Sequence, residues 1–456
     1  MDSQFERRDF IRWAALAGAA AAAEGCASAF RLAPGGAASG FRMKPMERVR
    51  VGMLGVGSRG TAAVRRLVKI EGVEIVAVCD LVGDRVERAR KIVRDAGRGG
   101  PAGFVGPEGW KAVCDAANVD VVYNCTSWDW HLRPCVRAML NGKVPLVEVP
   151  GTLRIDECWE YVETCEKTRI PCMMLENCVY GEDEMLMLNL VRSGVLGDIV
   201  HGEGGYIHYG AEYMYPKTDS EPPTWRLEEK KGHTGNAYPT HGLGPVALSM
   251  GVNRGDRFDY MVSVGSRGHS LQDFARRKFG PDSKFGNYRI DYNDVNTSVI
   301  RTAVGNTIMV QINCANPRPY TRMGLVVGTN GIFGTYPARA LLETAPGVAG
   351  KTWMDEKELA ALREKYAHPL WKRHGELAKK VGGHGGMDFL MDLRWVYCLR
   401  KGLPLDMDVY DLASWSAVCE LSESSAKRRG RTEYFPDFTR GGWKAARPVD
   451  IGGVAI

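Results

Sequence analysis

No Cys-x-x-Cys pair, no His-Glu-x-x-His and no other zinc-ligand spacing occurs in this sequence, although it holds twelve cysteines. Motif-based readings as a zinc-stapled domain or a zinc hydrolase are thereby excluded, and no metal site is expected. No apolar run reaches the roughly 20 residues of a membrane span, which excludes a multi-span membrane protein. There is no internal repeat and no low-complexity tract. Charge of one sign is not concentrated either: 60 Lys and Arg stand against 54 Asp and Glu, for a net +6 without a basic cluster, which argues against a nucleic-acid partner. Hydrophobic residues at 45% and charged residues at 25% are ordinary for a globular chain and exclude a disordered one. Glycine is what the chain has in excess, 54 of 456 residues, much of it in short motifs.

The cysteines fall largely in apolar, strand-like runs, such as Cys79 at the end of VEIVAVCD and Cys125 in VDVVYNCT. They read as buried free thiols behaving as small hydrophobes, as expected of a chain that folds in a reducing compartment. At the N-terminus, Arg7-Arg8-Asp9-Phe10-Ile11-Arg12, the apolar stretch Trp13 to Ala23 and Ala27-Ser28-Ala29 together resemble a bacterial twin-arginine (Tat) signal peptide over residues 1–29. That route exports proteins already folded, so a periplasmic or secreted location and a cofactor carried inside are expected. Lipid anchoring at Cys26 is the alternative, which Glu24 fits poorly. Residues 30–48 read as a flexible leader.

From Val49 the chain alternates apolar strand runs with helical patterns. Strands are expected at 49–56, 73–80, 119–126, 144–149 and 172–176, and helices at 61–70, 84–96, 133–141 and 156–168. Repeated βα units predict a doubly wound parallel α/β sheet over residues 49–176. Beyond residue 177 the texture changes to alternating, aromatic-rich runs. Residues 177–456 are therefore expected to form an α+β domain with a largely antiparallel open sheet and C-terminal helices packing back. One charged helix is expected over 355–378, and Glu228–Lys231 reads as a solvated face.

Gly55-Val56-Gly57-Ser58-Arg59-Gly60 follows the first strand and opens the first helix, and Asp80 ends the next strand 20 residues after Gly60. This is the Rossmann dinucleotide context. The glycines admit a pyrophosphate to the backbone at a helix N-terminus, where unpaired N–H groups and the dipole favour anions. Asp80 would bond the ribose hydroxyls and repel a 2′-phosphate, which favours NAD over NADP.

Glu148-Val149-Pro150 ends a later strand. Here the sequence resembles the glucose–fructose oxidoreductase and inositol dehydrogenase superfamily, whose members carry Glu-Lys-Pro at this point and use the lysine at the reacting carbinol. Val149 replaces it, which argues against a simple polyol dehydrogenase. Together with Trp128-Asp129-Trp130-His131, MMLEN at 173–177, YPTHGLGPV at 238–246 and GGHGGMDF at 382–389, it resembles glycoside hydrolase family 109. The resemblance implies an NAD-dependent glycosidase of the α-N-acetylgalactosaminidase kind. Its implied route is transient oxidation at C3 of the sugar, C2 deprotonation, loss of the C1 aglycone, water addition and re-reduction.

Position by position, the resemblance implies NAD contacts at Ser58, Arg59, Asp80, Trp128, Asp129, Trp130, His131, Glu148, Val149 and Asn177. It implies substrate contacts at Tyr206, Arg226, Tyr238, Pro239, Thr240, His241 and Tyr320. Such a site needs bases at O3 and C2 and donors to an enolate. His241 is read as a base, because an imidazole titrates near neutral pH; a satisfied core histidine is the alternative. Tyr238 lies three residues earlier, on the same face if the segment is helical. Tyr180 reads either as a second phenol near the nicotinamide or as a packing aromatic. His384, between glycine pairs, is expected to complete the site, and Glu148 to orient a catalytic group. Competing readings are a sugar oxidoreductase that releases NADH and a non-enzymatic sugar sensor. The expected partner is a carbohydrate; a homo-oligomer is compatible with the exposed face of the second sheet.

Overall fold

The computed structural model describes residues 37–345, 347–445 and 451–452. The twin-arginine segment, the Ala27–Ala29 site, Cys26 and the first part of the leader lie outside the described residues. The rest of the segment read as a flexible leader is docked. Ala38 and Phe41 are buried, the Met46 N–H donates to the Leu399 carbonyl at 3.2 Å, and Arg169 covers the Phe41 ring at 5.2 Å. A glycine-rich composition suggested freedom; Ala38, Phe41 and Met46 together anchor the segment.

Six strands form the first sheet: β1 (Val49–Leu54), β2 (Val73–Asp80), β3 (Ala102–Val105), β4 (Val121–Asn124), β5 (Val144–Val147) and β6 (Met173–Met174). They pair in the order β3-β2-β1-β4-β5-β6, all in parallel. β1, β4 and β5 are almost wholly buried, as a sheet covered on both faces requires. β3 and the helix Gly109–Asp115 were not foreseen, because four mostly exposed residues between glycines carry no apolar run. The strand order reverses between β1 and β4, and such a switch point opens a crevice at the strands' C-terminal ends.

The second sheet contains β7 (Ile199–Ile207), β8 (Phe258–Gly265), β9 (Asn296–Thr302), β10 (Thr307–Asn313), β11 (Leu325–Gly328), β12 (Gly331–Gly334), β13 (Arg339–Ala345), β14 (Val348–Ala349) and β15 (Glu433–Tyr434). Their order is β14-β13-β12-β11-β7-β10-β9-β8-β15. The sheet is antiparallel except where β10 runs parallel to β7. The single helix expected over 355–378 is two, Glu356–Tyr366 and Pro369–Val381. Pro369 forces His368 into an extended conformation and ends the first helix before it.

The C-terminal helices pack back onto the first sheet. Leu412, in the helix Val409–Lys427, lies where a side chain on Gly151 would be, and Tyr123 on β4 donates to Asp392 in the helix Met387–Lys401 at 3.1 Å. The Val409–Lys427 helix starts from a capping box of Asp408 and Asp411. Both carboxylates are bridged by the buried guanidinium of Arg254, at 3.0 and 2.6 Å.

The contact that places the site lies between β7 and the helix Thr240–Ser249. A Cβ on Gly204 would overlap the Gly242 carbonyl, and one on Gly242 would overlap the Gly205 backbone nitrogen. Backbone therefore meets backbone, a separation that only glycine allows. Gly242→Ala is expected to push this helix off β7. A drop of several degrees in the thermal midpoint, together with loss of activity in the folded fraction, would bear this out; an unchanged midpoint would refute it.

Candidate active site

The glycine turn is shaped for an anion. Gly55 sits at φ +74°, and a Cβ there would press on the Cys125 carbonyl at 2.7 Å. At Gly57 a Cβ would meet nothing within 4 Å, so the space beside the turn is open. Gly57 is the N-cap of the helix Ser58–Leu67, and no side chain caps that helix. Its first-turn amides and positive dipole end suit a pyrophosphate. Asp80 is buried at the end of β2, accepting from the Val56 N–H at 2.8 Å and the Val82 N–H at 3.0 Å. It holds the turn closed, and Arg85 lies 3.5 Å from its second oxygen.

Arg59, expected on the cofactor, spans two carboxylates: Nε lies 2.6 Å from Glu148 and Nη1 lies 2.8 Å from Asp388. Asp388 also takes the Asn177 amide at 2.5 Å, His384 Nδ1 at 3.0 Å and Arg66 at 3.3 Å. Burial alone would raise its pKa. The His384 hydrogen bond and the Arg59 and Arg66 charges instead hold it well below the usual carboxylate range. Asp388 stood inside a quoted motif, yet sequence reasoning gave it no role; what marked it was an acid directly after a glycine-rich turn at a helix start.

Trp128 donates to the Val149 carbonyl at 3.2 Å, linking two strand ends expected on the cofactor. Asp129 follows it in a 3₁₀ turn. Trp130 packs against Trp110, 6.1 Å between ring centroids, and beneath Arg133. His131 is buried with Nδ1 2.8 Å from the Pro150 carbonyl, and burial pushes its pKa down. It braces the Val149–Pro150 segment from behind.

The expected substrate residues come together in one aromatic cage. Tyr206 lies 5.0 Å from Tyr238, 5.1 Å from His241 and 6.3 Å from Tyr320, centroid to centroid. Tyr238 and His241 are 4.9 Å apart, and Tyr238 reaches Trp128 at 5.9 Å, joining the cage to the cofactor side. Trp225 meets Trp128 at 5.2 Å, and Arg226 stacks over Trp225 at 4.2 Å. Pro239 is the N-cap of the helix Thr240–Ser249, and Thr240 is buried beside Glu176. Burial raises the Tyr238 and Tyr206 phenols, so both stay protonated donors.

His241 Nδ1 lies 2.7 Å from Glu176 Oε1, and Glu176 is fully buried. Burial would raise this carboxyl, but His241 beside it and the His241 hydrogen bond hold it below its ordinary value. With Nδ1–H donated to Glu176, Nε2 is the nitrogen left to accept a proton. Glu176 was read only as a strand end. Cys178 lies close enough to form a three-ligand set with this dyad, its atoms within 4.8 Å, and burial raises its thiol. His208 was also missed. It sits two residues beyond Tyr206 and stacks on it at 5.6 Å, with a buried, unpartnered Nδ1. The alternation that puts both rings on one face was the available signal.

Three expectations need correction. Tyr180 is fully buried, and its hydroxyl donates to Asp406 at 2.9 Å, beside the Arg394–Asp406 pair. It is the packing aromatic, outside the cage. His384 is outside the cage: its side chain is largely exposed and bonded to Asp388 at 3.0 Å. Lys230, read as part of a solvated face, is buried with Nζ 3.7 Å above the Tyr292 ring, and burial pushes its pKa down to about 8.

The chain thus joins a parallel, Rossmann-type sheet to an open, largely antiparallel sheet, with an aromatic cage beside β7. Solved structures share this fold. An NAD binding oxidoreductase from Klebsiella pneumoniae matches at TM-score 0.65 with 15% identity, covering 85% of this chain and 99% of that one. Levoglucosan dehydrogenase in complex with NADH and L-sorbose matches at 0.63 with 16% identity, covering 86% and 100%. The model of the glycosyl hydrolase 109 C-terminal domain matches residues 180–445. Glycosyl hydrolase family 109 protein 2 of Shewanella sp. (strain MR-4) is 43% identical, over 99% of this chain and 100% of its own length. A family 109 protein of Shewanella pealeana is 43% identical over 92% of each. The chain belongs to glycosyl hydrolase family 109.

Two outcomes follow from this geometry. Glu176→Gln and His241→Ala are each expected to lower kcat by about 10²-fold or more, and the double variant no further, because the pair acts as a unit; additive losses would separate the two residues. Asp388→Asn is expected to lower the thermal midpoint at pH 7. The folded-state pKa of Asp388 is depressed, so its contribution is complete above its unfolded value of about 3.9. The gap between wild type and variant should therefore begin to close below about pH 4 and keep closing as pH falls. A gap constant from pH 7 to pH 3 would contradict the charge network.

Proposed function

We propose that this protein is an NAD-dependent glycosidase that hydrolyses terminal N-acetylgalactosaminides or related hexosides through transient oxidation of the sugar. The observation that carries the reading is the Glu176–His241 dyad inside a tyrosine cage that joins the dinucleotide turn through Trp128. Ordinary glycosidases place two carboxylates across the scissile bond; NAD-dependent ones are exceptions. In this cage the acid is spent on orienting an imidazole, which suits proton abstraction from carbon or a hydroxyl better than protonation of a glycosidic oxygen.

The amides at Gly57 and Ser58 would hold the pyrophosphate, Asp80 the ribose, and Trp128, Glu148, Val149 and Asn177 the nicotinamide half. When bound, the cofactor supplies a hydride acceptor and donor for C3 of the sugar. His241 Nε2 takes a proton from the bound sugar, with Glu176 stabilising the imidazolium that results. Tyr238 and Tyr206, kept protonated by burial, donate to the oxygen on which charge collects at C3. A carbonyl at C3 acidifies the C2 proton, its removal expels the C1 aglycone, and water then adds to C1. Val149, where the superfamily keeps a lysine, removes the acid that a simple polyol dehydrogenase would use.

The test is p-nitrophenol release from p-nitrophenyl α- and β-hexosides, N-acetylgalactosaminides among them, with no NAD added, run in D2O. Turnover that places deuterium at C2 of the released sugar and disappears in His241→Ala is the expected result. Release without deuterium would mean direct displacement. NADH accumulating from free sugar and NAD⁺, with no glycoside cleaved, would make the protein a dehydrogenase.

A further inference from the structure

A second cleft, of about 370 Å³, adjoins the cage. Tyr320 is shared by the two: it meets Tyr206 edge-to-face at 6.3 Å and also lines the cleft. None of Trp128, Val149, Asn177 and Tyr238 lines it, so it is not the nicotinamide end of the crevice. Its size is at the lower end for small-ligand pockets.

The walls are aromatic and electrically balanced. Tyr336 stands 5.8 Å from Tyr320, and the Arg322 guanidinium stacks over Tyr336 at 4.7 Å. Arg322 Nη1 donates to the Tyr320 hydroxyl at 2.9 Å, which leaves the Tyr320 O–H to be donated elsewhere. Trp371 is fixed from behind by its bond to the Tyr180 carbonyl at 2.9 Å. The acids on the rim are all engaged: Glu182 with Lys379 at 3.2 Å, Asp183 with Arg363 at 2.5 Å and Glu184 with Arg322 at 2.8 Å. Of the lining side chains that can carry positive charge, Arg322 is spent on Glu184 and His384 on Asp388, so neither is left over to attract a phosphate or carboxylate. The walls therefore suit a neutral occupant with apolar faces and hydroxyl edges.

The backbone points to the same place. Tyr336 at φ +62°, Met323 at +54° and His384 at +47° hold left-handed conformations that bulky residues avoid, and all three lie in or next to the cleft's lining. Such strain persists where the surroundings over-determine it, and functional sites are where it gathers.

We infer that this cleft is the subsite for the aglycone, and that its occupant is a neutral sugar attached through C1 of the hexosamine in the cage. The inference rests on the glycosidase reading above. Tyr320 stands at the junction between the two sugars, and Tyr336 is the platform for the second.

The test compares two substrates that share one glycone: a hexosaminyl disaccharide with a neutral second sugar, and the matching hexosaminyl fluoride, whose leaving group is a single atom. Tyr336→Ala is expected to lower kcat/KM on the disaccharide about tenfold while leaving the fluoride within about twofold, and Tyr336→Phe to restore the disaccharide rate. Equal loss on both substrates, or no loss on the disaccharide, would overturn the assignment. Cleavage of neither substrate by the wild-type protein would remove the glycosidase reading and this subsite with it. Should Tyr336→Ala fail to fold, Tyr336→Leu keeps the bulk, loses the ring and reads the same ratio.

Discussion

The site depends on one contact without side chains. Gly242 and the Gly204–Gly205 pair bring the helix Thr240–Ser249 onto β7 at backbone distance. That separation sets Tyr206, on the strand, against Tyr238 and His241, on and just before the helix, with their rings about 5 Å apart. A methyl group on Gly204 or Gly242 would open the pair and move the imidazole away from both the tyrosines and Glu176. The chemistry of the cage is thus set by what those positions leave out.

The second constraint is electrostatic. Asp388 gathers Arg59, Arg66, Asn177 and His384 around one buried carboxylate. An unpaired charge at such depth costs several kcal/mol, so these groups stand or fall together. Arg59 carries the network to Glu148 at a strand end, and the glycine turn, the crevice and the C-terminal helix become one rigid unit. The cage has little charge of its own. Its tyrosines are raised by burial, and its single carboxylate is committed to His241.

Much of the first sheet was legible because its strands are continuous apolar runs with glycines at their ends. Gly55, Gly57, Gly60 and Asp80 could be placed because their spacing follows from the geometry of a strand, a turn and a helix. The cage residues were reached through motif resemblance, and the structure brings Tyr206, Tyr238, His241 and Tyr320 together. Glu176 and Asp388 were missed for a shared reason. A carboxylate that works through a partner far along the chain leaves no local period or spacing. Tyr180 misled because proximity in sequence to Asn177 says nothing about direction; in a 3₁₀ turn its ring points into the core. Lys230 misled because charge runs are normally solvated, and a ring beneath an ammonium is invisible to composition.

The Arg59–Asp388 pair joins residues 329 positions apart. The first half of the chain carries the glycine turn and Glu148, one anchor of Arg59, but not Asp388, the other. In chain order, Glu148 follows soon after the glycine turn, whereas the second anchor of Arg59 comes only with the helix Met387–Lys401. The cradle announced by the motif is thus completed by residues near the other end of the chain.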